Sequence, residues 1–300
     1  MPGSLIRKTV TTGPVLFAAL LLLAAPGMAQ DQLKPKEIKP QAQPSPPLSA
    51  QELAEATLQA MGGKPAWDSA RHICFTFAAR RAHCWDRFTG RHRLEGQTAD
   101  GKTFVVLSDI DDQGRSGTAY LDGQPVSSDQ LQQFVLGAYQ AWVNDTYWLL
   151  VPYKLQDPGV NLTYEGSEEL DGVRYEKLAL TFNNVGLTPG DRYWVYINPA
   201  TGLMERWAYI LQNQDPSTQP THWLWQGWQK YGPIMLAPTR AQVGADEKIE
   251  FTNIAVRTNV PDEVYTSPAP AGSGGQQGTQ GQQQPPPQQQ PPPPPPSQGR

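Results

Sequence analysis

The chain has 300 residues and a net charge of −4, and its charges are unevenly distributed. Residues 49–265 contain 18 Lys and Arg against 26 Asp and Glu, so this central part carries a net charge of −8. An acidic domain without a basic run is a poor electrostatic match for phosphate backbones, which excludes nucleic acid as an expected partner.

The first residues have the three-part pattern of a secretory signal peptide. Arg7 and Lys8 precede an apolar stretch over 15–25, and a small-x-small cleavage site ends at Ala29. The apolar stretch is shorter than the roughly 20 residues that a membrane-spanning helix needs. We therefore expect residues 1–29 to be a signal peptide cleaved after Ala29, and the mature protein to be periplasmic and not membrane-spanning; the alternative is a retained signal anchor.

Two stretches differ in composition from the centre of the chain. Residues 30–48 are rich in Pro and Lys, and residues 266–300 consist mainly of Pro, Gln, Gly and Ser. Neither stretch can bury enough apolar surface to offset the entropy of ordering it. We expect a disordered linker over 30–48, one folded domain over 49–265, and a disordered tail over 266–300.

A first helix is predicted after Ser49. Ser49 and Glu52 have the spacing of a capping box, in which each side chain binds a free backbone N–H of the first turn. Leu53, Leu58 and Met61 share one face of such a helix, and the glycines at 62–63 provide a left-handed stop.

A second helix is predicted from Ser127 to about Val143. Its apolar positions form one continuous stripe, namely Leu131, Phe134, Val135, Ala138 and Trp142. We interpret Asn144 as its C-terminal stop and Asp145 as a turn former. The alternative is a functional one, in which Asp145 and Lys154 lie at the mouth of a cavity.

The rest of the domain is predicted to form strands separated by turn residues such as the Asp-Gly pairs at 122–123 and 171–172. The predicted strands are 72–79, 83–95, 103–108, 117–121, 161–165, 173–182, 191–197, 203–211, 222–231, 234–240 and 248–257. Several are apolar on both faces, which indicates a curled sheet. The expected fold class is α+β, mainly β: a strongly curved antiparallel sheet of about 11 strands, an incomplete barrel whose open side is closed by two helices.

Two motifs resemble a family of uncharacterised bacterial envelope proteins. They are residues 142–155 (WVNDTYWLLVPYKL), continued by 157–160, and residues 185–194 (VGLTPGDRYW), which lead to Trp207. That family is similar to the outer-membrane lipoprotein-sorting carriers (LolA/LolB-like). The resemblance implies an incomplete antiparallel barrel in which helices close an apolar cavity for acyl chains.

The aromatic residues of the domain are the candidate ligand-binding residues. Large rigid rings suit the lining of an apolar cavity, with polar edges at its mouth. The candidates are Trp148, Trp194, Tyr196, Trp207, Trp223 and Trp225. The alternative is that most of them pack an ordinary core.

Cys74 and Cys84 lie ten residues apart in neighbouring predicted strands. An oxidising compartment would allow a disulfide across this hairpin, and two buried thiols are the alternative. A zinc site that adds His72 and His83 is disfavoured because the adjacent strand residues His83 and Cys84 point to opposite faces.

The sequence therefore predicts a soluble periplasmic carrier or binder of lipid or lipoprotein acyl chains. We expect no catalytic residue, no metal and no cofactor, because the chain has no phosphate-binding glycine loop, nucleophile elbow or His-Glu-x-x-His motif. The alternative is a non-enzymatic envelope scaffold with a filled core, in which the Pro/Gln tail is a spacer and the partners are envelope proteins. A hydrolase with acidic residues is a third hypothesis without a nameable site.

Overall fold

The computed structural model describes residues 49–270. The predicted signal peptide over 1–29, the linker over 30–48 and residues 271–300 of the predicted tail lie outside the described residues. Within the described part, no helix is long and apolar enough to cross a bilayer.

The described helices are α1 (Ala50–Ala60), α2 (Gly63–Ser69), α3 (Ser128–Leu150) and α4 (Glu263–Thr266), with a 3-10 turn at Val151–Tyr153. The predicted capping box opens α1: the Ser49 hydroxyl accepts from the Glu52 backbone at 3.2 Å, and the Ser49 N–H donates to the Glu52 carboxylate at 2.7 Å. The predicted glycine stop follows this helix, with Gly62 at a φ of 117°.

The helix α3 is longer than the sequence predicts. Asn144 was expected to end it, yet the helix continues for six more residues to Leu150. The reason is that Asp145 finds partners on the sheet. Its carboxylate is completely buried and binds the strand residues Arg81 and His83, so it does not form a local turn.

The described strands form one 13-stranded antiparallel sheet and one two-stranded hairpin. They are β1 (His72–Phe77), β2 (Arg81–Asp86), β3 (Arg91–Gln97), β4 (Thr103–Asp109), β5 (Gly117–Leu121), β6 (Gln124–Pro125), β7 (Val160–Leu170), β8 (Val173–Phe182), β9 (Arg192–Ile197), β10 (Met204–Ile210), β11 (Thr221–Gln226), β12 (Gln229–Tyr231), β13 (Ile234–Leu236), β14 (Thr239–Gln242) and β15 (Lys248–Arg257).

The large sheet has the strand order β6-β5-β4-β3-β2-β1-β15-β14-β11-β10-β9-β8-β7. Most neighbours are also neighbours in sequence, and the last strand β15 joins the two halves by pairing with β1. The edges β6 and β7 stay apart, so this sheet does not close. The fold is α+β and mainly β, as the sequence predicts.

Some predicted strands are split by turns. The prediction placed one strand over 83–95, whereas β2 ends at Asp86 and β3 starts at Arg91. The Asp86 carboxylate accepts from the Phe88 N–H at 3.0 Å, and Gly90 takes a φ of 73°. This local hydrogen bond and the left-handed glycine outweigh the strand preference of the residues between them.

The core lies on the face of the sheet that also contacts α1 and α3, called here the inner face. Residues of α1 pack with β8, β9 and β10 on one half. Residues of α3 pack with β3, β4 and β5 on the other half. The helix α1 therefore covers one half of the inner face, whereas α3 spans both halves, because Trp148 near its C-terminal end packs in the cluster that contains α1.

Candidate functional site

Four of the six predicted ligand-binding residues lie together on the inner face. Trp207, Trp223 and Trp225 project from β10 and β11 and are buried, and Trp148 reaches them from α3. The Trp148 ring centroid lies 4.7 Å from that of Trp207 and 5.1 Å from that of Trp223, both with edge-to-face geometry. These rings pack against one another in the manner of a core, so their own bulk occupies the space where a ligand was expected.

The other two predicted residues do not share that space. Trp194 and Tyr196 lie on the outer face, in a cluster with Tyr175 and Ala208. The Lys177 ammonium lies 5.8 Å from the Trp194 ring centroid and 5.7 Å from that of Tyr196. Successive strand residues point to opposite faces. The six predicted residues therefore lie on both faces of the sheet.

Arg240 of β14 lies beneath the aromatic cluster and is completely buried. Its guanidinium donates to the Trp148 carbonyl at 2.7 and 3.0 Å and to the Ala237 carbonyl at 2.7 Å. It also stacks on Trp225, with its central carbon 3.3 Å from the ring centroid. The helical partner of the Trp148 carbonyl would be the N–H of residue 152, which is Pro152 and has none. Arg240 therefore supplies the missing donors at the C-terminal end of α3.

A buried chain of polar side chains joins α3 to the other half of the sheet. The Asp145 carboxylate accepts from Arg81 Nε and Nη2, both at 2.7 Å, and lies 2.8 Å from His83 Nε2. His83 Nδ1 lies 3.1 Å from His92 Nε2. Asn144 Nδ2 donates to Asp145 at 2.8 Å. Asp145, His83 and His92 are all fully buried or nearly so.

The protonation of this chain follows from its surroundings. Burial lowers the pKa of His83 and His92, so both rings are neutral at pH 7. Burial alone would raise the pKa of Asp145, but hydrogen bonds from His83 and Arg81 outweigh it and lower that pKa. An ionised Asp145 requires His83 to donate through Nε2, and His83 Nδ1 then accepts from His92 Nε2. His92 Nδ1 remains as an acceptor without a partner among the described residues.

An open groove of about 540 Å³ runs beside α3 on the inner face; we call it the helix groove. Its floor consists of apolar side chains of β3, β4 and β5, namely Leu94, Phe104, Val106 and Leu121. Its wall is α3, from Gln130 to Ala141. These twelve residues of helix correspond to a length of about 18 Å.

The two ends of the helix groove differ. Arg81 closes the end near Ala141, since its partner Asp145 lies one turn further along α3. Polar side chains, including Gln130, Gln133 and Lys102, line the opening to solvent. The groove therefore combines an apolar floor with a fixed cation at one end and a polar opening.

A second groove, of about 780 Å³, lies on the outer face between β1–β3 and residues 261–270; we call these residues the C-terminal strap. Cys74 and Cys84 line it and form a disulfide. The strap is held by Tyr265, whose hydroxyl lies 2.9 Å from His72 Nδ1.

These contacts show that the residues considered for a zinc site lie on two opposite faces of the sheet. His83 points inward to Asp145, whereas Cys84 points outward and is covalently bound to Cys74. No group of three or more metal-ligating side chains is close enough to hold an ion in the part of the chain that the structure describes.

The two residues predicted for a cavity mouth are separate in the structure. Asp145 is buried under Arg81, whereas Lys154 follows the 3-10 turn and binds Asp157 at 2.8 Å. No contact joins Asp145 to Lys154 among the hydrogen bonds and ion pairs of the described residues.

The comparisons with known proteins found similar solved structures only. No protein-family model matches the chain, and no curated protein matches it significantly. A DUF1329 family protein from Desulfovibrio piger has 12% identity and a TM-score of 0.39, with 72% of this chain and 97% of that chain covered. A putative outer membrane lipoprotein-sorting protein domain from Vibrio parahaemolyticus has 10% identity and a TM-score of 0.37, with 72% and 96% covered.

A LolA superfamily protein from Nitrosomonas europaea is also similar, with 10% identity, a TM-score of 0.32, and 73% of this chain and 98% of that chain covered.

Sequence reasoning missed Arg81, His92 and Arg240. The spacing of Arg81 and His83 does place both on one face of a strand. Their partner Asp145 lies more than 60 residues away, and nothing in the sequence connects the two segments.

Proposed function

We propose that the protein is a non-enzymatic periplasmic carrier that holds the acyl chain of a lipid or lipoprotein in the helix groove. The observation that carries this proposal is the groove itself, about 540 Å³ beside α3 with an apolar floor on the inner face. Ligand-binding clefts commonly have volumes of roughly 300 to 1,000 Å³. The groove replaces the aromatic cluster as the candidate site, because the rings of that cluster pack against one another.

The affinity for such a ligand would come from burial of its methylene groups. Each buried methylene contributes roughly 0.8 kcal/mol, which is about a fourfold change in affinity. The proposal therefore implies that affinity increases with chain length until the chain exceeds the groove.

A single substitution tests where the ligand binds. Gly137 lies in the groove wall, and a Cβ added there meets nothing within 4 Å. Gly137→Phe would place a ring in the groove without disturbing the core. We expect this variant to keep its thermal stability and to lose uptake of a fluorescent fatty acid.

The matched control is Gln140→Phe, on an exposed position of the same helix outside the groove lining. This variant should bind the fluorescent fatty acid as the unchanged protein does. Binding by Gly137→Phe at full strength, or no uptake by the unchanged protein, would overturn the proposal.

The second candidate function is an envelope scaffold with a filled core. It is favoured by one observation, the burial of Trp207, Trp223 and Trp225 in one cluster, in which the ring centroids of Trp207 and Trp225 lie 5.7 Å apart. Deleting residues 271–300 separates the two functions. A carrier should keep its ligand after the deletion, whereas a scaffold that uses the Pro/Gln segment should lose its protein partner in a crosslinking experiment.

A further inference from the structure

We infer that the helix groove selects amphiphiles with an anionic oxygen head, a carboxylate or a phosphate, and that Arg81 binds this head. The inference rests on the proposed function and adds the chemical class of the ligand. It starts from the hydrogen bonds of Arg81, which faces the groove with a third of its side chain exposed.

Only two of the three nitrogen atoms of the Arg81 guanidinium make hydrogen bonds with described residues. Its Nε and Nη2 atoms each donate to Asp145 at 2.7 Å. The guanidinium is planar, and Nη1 lies on the edge away from the Nε–Nη2 pair. Nη1 makes no hydrogen bond with a described residue. It therefore offers two N–H donors on the side of Arg81 that does not face Asp145.

Arg81 is held in place before a ligand arrives. Its bidentate partner Asp145 is fixed by His83 at 2.8 Å and by Asn144 at 2.8 Å, all within the buried chain. A long flexible side chain normally loses rotamer freedom on binding, and this loss weakens affinity. Because the Arg81 side chain is already fixed, most of that loss is avoided.

A hydrocarbon end is a poor match for this donor. An acyl chain lying against Arg81 would remove water from Nη1 and give it no acceptor, which is costly. An oxygen head restores the hydrogen bonds, and an ionised oxygen makes stronger, charge-assisted bonds than a hydroxyl. The head therefore lies at the Arg81 end, and the chain lies along Leu94, Val106 and α3.

The other charges of the groove lining are Lys102 and Asp100, which pair with each other at 3.0 Å. Their side chains are 53% and 63% exposed, so solvent screens both. They therefore contribute little to the choice of head.

The test compares ligands with one chain and different heads. Palmitate, palmityl alcohol and a monoacyl glycerol phosphate displace a fluorescent fatty acid from the full chain at pH 7.4. We expect the acid to bind at least about tenfold more tightly than the alcohol, as charge-assisted bonds are stronger than neutral ones. Whichever of carboxylate and phosphate binds more tightly is then the natural head.

Variants test whether Arg81 causes the preference for the acid over the alcohol. Arg81→Gln should remove the preference for the acid and keep binding of the alcohol, whereas Arg174→Gln, an exposed cation of β8 outside the groove lining, should keep the preference. Arg81→Lys preserves the charge beside Asp145 without the planar fork, and we expect it to reduce the preference while the protein stays folded by circular dichroism.

The outcomes distinguish this inference from the proposed function. Equal binding of acid and alcohol by the unchanged protein overturns the head selection and leaves the carrier function standing. A preference that survives in Arg81→Gln also overturns it. Failure of all three amphiphiles to bind overturns the proposed function itself.

Discussion

The histidine side chains couple the stability of this protein to pH. Burial lowers the pKa of His72, His83, His92 and His222 in the folded state. The unfolded chain, with ordinary histidine pKa values near 6.5, then binds more protons than the folded chain below that pH. The histidines therefore do not lower the free energy of unfolding at pH values well above 6.5. As the pH falls below about 6.5, that free energy decreases.

We expect the substitution His92→Gln to weaken this dependence. It removes a side chain that binds a proton only in the unfolded state. The slope of the unfolding free energy against pH should therefore decrease by up to about 1.4 kcal/mol per pH unit below pH 6. Urea titrations between pH 4.5 and 8 measure the slope. An unchanged slope in the variant would show that His92 is not shielded from protonation.

Arg240 is the second residue whose removal should be costly. Arg240→Ala leaves the carbonyls of Trp148 and Ala237 without donors and leaves a void beside Trp225. We expect a loss of about 3 to 5 kcal/mol in the free energy of unfolding.

The matched control for that substitution is Arg174→Ala, because the Arg174 side chain is 70% exposed. It should cost less than about 0.5 kcal/mol. Similar losses in the two variants, measured by urea denaturation, would contradict the structural role of Arg240.

At the scale of elements, the β1–β2 hairpin is closed by the disulfide. Cys74 and Cys84 are register partners, separated by ten residues in sequence. A crosslink over a loop of this length stabilises a protein by about 2 to 3 kcal/mol.

The double variant Cys74→Ala/Cys84→Ala should lose that stabilisation and should no longer respond to dithiothreitol. The control is the protein without substitutions after reduction of its disulfide, and it should show a similar loss of stability. Denaturation midpoints that do not move in either sample would contradict this account of the hairpin.

Elements were predictable where the signal is local. The Ser49–Glu52 capping box and the Asp122-Gly123 turn depend on neighbouring residues, and both are present, with Asp122 and Gly123 at positive φ. The end of α3 was not predictable. Asp145 resembles a turn former in sequence, and only its distant partners Arg81 and His83 explain why the helix continues.

At the scale of the whole molecule, the C-terminal strap continues the domain beyond the predicted boundary at residue 265. Arg93 donates to the Ser267 carbonyl at 2.7 Å and also binds the Ala269 carbonyl. Tyr265 is buried over the disulfide hairpin. The strap is thus part of the fold.

Two truncations test the strap. A chain that ends at Pro270 should keep its full stability, whereas a chain that ends at Val260 should lose at least about 2 kcal/mol because buried polar groups lose their partners. Thermal and urea unfolding measure both. Equal stability of the two chains would show that the strap contributes nothing to the fold.

The fold class followed from the sequence because closely spaced turns imply an antiparallel meander and because strands that are apolar on both faces imply curvature. The candidate site did not follow. A run such as 193–197 shows that both faces are covered, but it does not show which ring lies under α3. Trp207 and Trp194 were therefore equally good candidates for a ligand-binding residue on sequence grounds. In the structure they lie on opposite faces of the sheet.

The location of a bound acyl chain decides whether the helix groove is the binding site. A fatty acid with a nitroxide on its chain broadens the NMR signals of nearby backbone amides. We expect broadening at Gly137, Ala138 and Val106, which line the helix groove. Broadening centred on Trp207, Trp223 and Trp225, or no broadening at saturating ligand, would contradict the account.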